Sequence, residues 1–106
     1  MNAFSDPAPG AASRDSATGK VRLLHAAGLH ARPAIKLTKL AKAFASKVSM
    51  STSEQGPWID AKSIVKVMAA KTPRDSVLHF RAEGPDAADA VRALVALVEQ
   101  DFPDDG

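Results

Sequence analysis

The chain has 106 residues, a formal charge of +2 and no cysteine, with 45% hydrophobic and 25% charged residues. That balance suits one soluble globular domain. The absence of cysteine excludes a disulfide framework, a thiolate zinc cluster and a thiol nucleophile. No apolar run approaches the roughly 18 residues that would span a bilayer. The opening residues lack the basic start and apolar stretch of a secretory signal, so a cytoplasmic location is expected.

Residues 1–19 are rich in Ala, Ser, Pro, Gly and Asp and carry almost no large apolar groups, so a flexible N-terminal tail is expected there. A domain over residues 20–103 should follow, with a short tail at 104–106. "KVRLLHA" reads as the first strand. A helix follows over about residues 31–45, with Ala34, Ile35, Leu37, Leu40, Ala41 and Phe44 on one stripe and lysines opposite. "KVSMST" alternates as a strand, and the "SEQGP" turn leads to a hairpin partner in "WIDA". A short helix should start at Ser63, a further strand at "SVLHFRA", and a last helix behind an Asp86 cap, burying Ala90, Val91, Leu94, Leu97 and Val98. The order β-α-β-β-α-β-α suggests an α+β sandwich, a four-stranded, mostly antiparallel sheet with three helices on one face.

Charge divides along the chain. Between Lys20 and Lys71 stand ten basic residues against Glu54 and Asp60; beyond Lys71 eight acidic residues face Arg74, Arg81 and Arg92. One part of the fold is therefore suited to acidic partners.

The residue that breaks local rules is His30 in "GLHARPAIKLTKLAKAF", where Ser, Thr, Asp or Asn would ordinarily cap a helix. The first backbone N–H groups of a helix lack internal partners, and the macrodipole adds about half a positive charge, so a phosphate or carboxylate is welcome there. Pro33 suits the first turn because its missing N–H would have gone unpaired. Arg32 adds a planar fork of donors for phosphoryl oxygens, and Gly28 permits a tight turn ahead of the helix. Neutral imidazole is a competent nucleophile near pH 7. No carboxylate lies nearby in the sequence to activate water, so the arrangement suits holding a phosphoryl group better than hydrolysing it.

"GLHARPA" resembles the active-site motif of the HPr family, the histidine-containing phosphocarriers of the bacterial phosphoenolpyruvate:sugar phosphotransferase system. "DAKSIVKVM" resembles that family's second motif and "FRAEGPDAADAVRAL" its closing strand and helix, so the likeness covers about residues 20–102. It implies an open-faced β-sandwich and a monomeric, cytoplasmic carrier without cofactor, metal or turnover chemistry of its own. It further implies phosphorylation of His30 at Nδ1 by phosphorylated enzyme I, and transfer to the A component (enzyme IIA type) of a permease or a regulatory counterpart. Arg32 and Pro33 match the motif's assisting arginine and proline. Ser63 matches the serine that a dedicated kinase/phosphorylase modifies in some lineages, although a serine there would cap the short helix in any case. Ile64, Val65 and Met68 would be shared between core and partner face, with Val65 outward and Ile64 and Met68 on one face. Lys36, Lys39, Lys62 and Lys66 would form a charged rim.

Three departures bear on partner choice. Lys71 and Asp75 stand where the family commonly has glycine, the hairpin carrying Trp58 is longer than usual, and short members lack the N-terminal tail. His25 and His79 read as sheet residues, with no carboxylate or thiol cluster to make a metal site with His30. The rival reading is a non-catalytic α+β interaction module for RNA or protein, favoured by the basic half of the chain. Against RNA, the strands lack the paired exposed aromatics on which bases stack.

Overall fold

The computed structural model describes residues 15–103; residues 1–14 and 104–106 of the two expected tails lie outside the described residues. The chain forms β1 (Ser16–Arg22), α1 (Ala31–Lys42), β2 (Lys47–Ser51), β3 (Ile59–Asp60), α2 (Ile64–Ala69), β4 (Val77–Glu83) and α3 (Ala87–Glu99). The strands make one sheet in the order β1-β4-β2-β3, and every neighbouring pair is antiparallel. The expected element order and α+β open-faced sandwich are thus present.

Strand alternation divides the two faces. Leu78, Phe80 and Ala82 of β4, Val48 and Met50 of β2 and Val21 of β1 turn toward the helices and are buried. Thr18, Lys20, Arg22 and Glu83, their sequence neighbours, are exposed on the opposite face. The helical side of the core comes from Ala34, Leu37 and Ala41 of α1, Val67 of α2, and Ala90, Val91, Leu94 and Val98 of α3. Phe80 is the largest of the wholly buried side chains and sits on the central strand β4.

The structure redraws several expected boundaries. β1 begins at Ser16, so Ser16–Gly19 belong to the sheet and not to a tail, paired in register from Ser16↔Glu83 to Arg22↔Val77. The inward positions there are Ala17 and Gly19, too small to show as an apolar alternation. A Cβ on Gly19 would lie 2.7 Å from Val91 Cγ1, so glycine admits the close approach of α3. α1 ends at Lys42, a turn earlier than expected. Within α1, Ile35 is 55% exposed while Thr38 is buried. The Thr38 hydroxyl donates to the Ile35 carbonyl at 3.1 Å, which satisfies it inside the helix and lets it pack inward.

Asp86 stands at the N-cap position of α3 but does not cap it with its side chain. Its carboxylate instead reaches the connection between α1 and β2. There it accepts from Ala45 N–H and Ser46 N–H, both at 2.9 Å, and from Ser46 Oγ at 2.5 Å. The Asp86 N–H returns a bond to Ser46 Oγ at 3.1 Å. The Ser46 hydroxyl, followed by the two backbone N–H groups, holds the Asp86 carboxyl below its ordinary range.

A carboxylate whose folded-state pKa is depressed contributes its full stabilisation above the unfolded value, about 3.9, and loses it as pH falls through the folded value. Asp86→Asn is therefore expected to lower the urea midpoint at about pH 6. The gap to the parent protein should narrow as pH falls through the depressed folded-state value and Asp86 becomes neutral. Urea titrations across that range check this.

Candidate functional site

The loop from Leu23 to His30 carries the site, and its shape is set by the turn between α2 and β4. Leu23 N–H donates to Ser76 O at 2.8 Å, Asp75 N–H to Leu23 O at 2.8 Å, and Leu29 N–H to Thr72 O at 2.9 Å. Leu29 is buried beneath the loop. Gly28 adopts φ +74°, and a Cβ there would lie 2.7 Å from Thr72 O. Glycine is required at this position on both counts.

The facing turn shows why the departures at Lys71 and Asp75 leave the loop intact. Both residues adopt the left-handed conformation, with φ of +48° and +74°. They carry without glycine a backbone shape that costs a side-chain-bearing residue about 1–2 kcal/mol.

His30 is exposed and occupies the N-cap of α1, with φ −100° and ψ −160°. Its carbonyl takes the first helical bond, from Ala34 N–H at 2.8 Å. Its imidazole makes no capping hydrogen bond. The N–H groups of Ala31 and Arg32 therefore open toward solvent beside the ring. Pro33 is buried and brings no donor of its own. No acidic residue lies in the first turn, so nothing there offsets the positive end of the helix. Arg32 is exposed and makes no hydrogen bond or ion pair among the described residues. These features together present a nucleophilic ring beside uncommitted donors.

An open depression of about 330 Å³ adjoins the ring, lined by Ala27, Leu29, His30, Met68, Lys71 and Thr72, with Pro73 at its edge. Met68 was expected to share a face with Ile64, the two divided with Val65 between core and partner side. It is 41% exposed, and Val67 is the buried member of α2 instead. In this six-residue helix Ile64 and Val67 share the inward face at i, i+3 spacing. Val65 is outward as expected, at 74% exposure, and Ile35 and Leu24 join it as exposed apolar side chains that the sequence pattern did not mark.

The lysines divide into two kinds. Lys39 and Lys66 are exposed. Lys36 and Lys62 have structural work: Lys36 Nζ donates to Phe102 O at 3.2 Å and Pro103 O at 2.9 Å, and Lys62 Nζ donates to Phe44 O at 2.8 Å. Each ammonium sits on carbonyls just past a helix C-terminus, where a positive charge is favoured. Ser63 caps α2, its Oγ accepting from Lys66 N–H at 3.3 Å.

His25 lies in the site loop and not in a strand, since β1 ends at Arg22. Its ring centroid is 5.4 Å from that of His30. His79 does belong to β4 and faces the outer side of the sheet, where Arg81 stacks on Trp58 with its guanidinium carbon 4.2 Å from the ring centroid. Among the described residues no group of His, Asp or Glu is arranged to hold a metal ion, and no helix is long and apolar enough to cross a membrane.

An open-faced sandwich that presents an uncapped histidine at a helix N-terminus belongs to a recognisable class of histidine phosphocarriers. The family model described as "PTS HPr component phosphorylation site" matches residues 17–100. The phosphocarrier protein HPr of Cupriavidus necator is 41% identical over 80 residues, covering 76% of this chain and 88% of its own. The phosphocarrier protein NPr of Proteus mirabilis is 33% identical over 86 residues, covering 81% of this chain and 94% of its own. The crystal structure of HPr-C-His from Thermoanaerobacter tengcongensis superposes with a TM-score of 0.76 at 30% identity, covering 85% of this chain and 99% of that one. The chain belongs to the HPr family of the phosphotransferase system.

Gly28→Ala would force a side chain into the left-handed region against a backbone carbonyl. It is expected to cost about 1–3 kcal/mol in urea denaturation and to displace the amide resonances of Leu29 and His30. An unchanged spectrum would mean that the Thr72 contact does not shape the loop.

Proposed function

We propose that this protein is a stoichiometric phosphoryl carrier that accepts the group on His30 from phosphorylated enzyme I. It then passes the group to an enzyme IIA-type acceptor, in the cytoplasm and as a monomer. The observation that carries the reading is the exposed, uncapped imidazole of His30 at the open N-terminus of α1. In the forward step a lone pair of Nδ1 forms a bond to phosphorus while the donor's own N–P bond breaks. The phosphoryl oxygens then lie toward the free N–H groups of Ala31 and Arg32 and the Arg32 guanidinium. Each such contact is modest, about 0.3–1 kcal/mol for an exposed helix end, so the group is held without being trapped. No step consumes water, and the donor bond and the new bond are of the same kind, which leaves the transfer reversible.

Partners would dock over the apolar patch of Ile35, Val65 and Met68, with Lys39 and Lys66 attracting acidic surfaces from the rim. Ile64 is half-buried and packs against the core. A kinase that phosphorylates Ser63 would add up to two negative charges beside Lys66 and Val65 and so weaken docking.

Two outcomes are expected. Incubation with enzyme I and phosphoenolpyruvate should place one acid-labile phosphate on His30 and none on His30→Ala, read by mass spectrometry; label persisting in that variant defeats the assignment. Ser63→Asp keeps a capping acceptor, so its thermal midpoint should stay close to the parent's. Its rate of phosphorylation by enzyme I should nevertheless fall at least about tenfold, equivalent to about 1.4 kcal/mol of lost docking energy.

A further inference from the structure

A second imidazole beside the first has no part in the carrier step as written above. His25 Nδ1 lies 3.0 Å from Asp101 Oδ1, its ring meets Phe102 edge-on at 6.0 Å, and its centroid is 5.4 Å from that of His30. The turn that presents Asp101 and Phe102 is unusual in itself, because both residues are left-handed, with φ of +59° and +52°. Phe102 is buried, and the Lys36 ammonium holds the carbonyls of Phe102 and Pro103. The end of α3 is thus fastened in a shape that aims one carboxylate at one histidine. Among the described residues, the titratable and charged groups around the His25 ring are Asp101 after α3, His30 at the start of α1, and Lys36 of α1 over the turn carbonyls.

We propose that His25 is the electrostatic partner of His30, taking up a proton when His30 carries the phosphoryl group and releasing it when the group leaves. This rests on the carrier reading of His30. With Nδ1–H donated to the Asp101 carboxylate, the free lone pair of His25 is on Nε2, and that nitrogen receives the proton from solvent. Asp101 compensates the resulting imidazolium. A phosphoryl group on His30 falls roughly within a Debye length of the His25 ring, about 8 Å at physiological ionic strength, so the two charges attract without full screening. Linkage then sets the sign. Protonated His25 favours the phosphorylated form, so acidification through the imidazole range holds the group on this carrier and alkalinisation favours its discharge.

The first measurement uses the full chain, phosphorylated chemically with phosphoramidate so that it does not depend on enzyme I. The imidazole signals of His25 are followed by NMR against pH in the free and phosphorylated forms. The titration midpoint of His25 should move up by about one pH unit on phosphorylation of His30. The signal of His79, across the sheet, should not move. The ratio of phosphorylated to free carrier at equilibrium with its donor should change between about pH 6 and 8 by up to about tenfold more in the parent than in His25→Asn. A merely structural His25 would lower thermal stability without altering that slope. Phosphohistidine at His30 with an unmoved His25 midpoint overturns this inference alone. A folded protein that takes no phosphoryl group at His30 overturns the carrier reading and this inference with it.

Discussion

Three backbone hydrogen bonds, from Leu23 to Ser76, from Asp75 to Leu23 and from Leu29 to Thr72, sew the loop before α1 to the turn before β4. The rest of the site depends on that seam. It fixes where α1 begins, and therefore which ring stands beside the unpaired amides. It also sets Met68 and Lys71, far along the chain, against His30 in one shallow basin. The backbone supplies the frame while His30, Arg32 and Met68 stay exposed, so the shape of the loop does not draw on those side chains.

The same separation explains the lysines. A count of charges assigns Lys36, Lys39, Lys62 and Lys66 a single role, but a long flexible ammonium can reach either solvent or a carbonyl. Lys36 and Lys62 find carbonyls at the ends of α3 and α1, and Lys39 and Lys66 find none among the described residues. The basic half of the chain is accordingly part adhesive and part invitation.

Much of this was legible in the residues. The periodicity of α3 and β4, the glycine and proline around His30 and the serine ahead of α2 each express a local requirement, and each appears where expected. What escaped notice was decided by distance along the chain. Ser16–Gly19 join the sheet because β4 accepts them and α3 covers them, and Ala17 and Gly19 carry no local mark of that. Asp86 looks like a cap, yet Ser46 and Ala45 offer its carboxylate more donors than its own helix does. Ile35 and Thr38 exchange places because a hydroxyl bonded within its helix can enter the core. His25 gains its interest only from the turn after α3, which brings Asp101 to it from the other end of the domain.

The position of β1 beside β4 has a consequence for biosynthesis. The first strand leaves the ribosome long before the strand that must flank it, and the seam holding the His30 loop needs Ser76 as well. Until those later residues emerge, the nascent chain can coil its first helix but cannot close the sheet or the loop that presents His30. Closure is thereby a cooperative event, in which the His30 loop and the outer edge of the sheet come into being together.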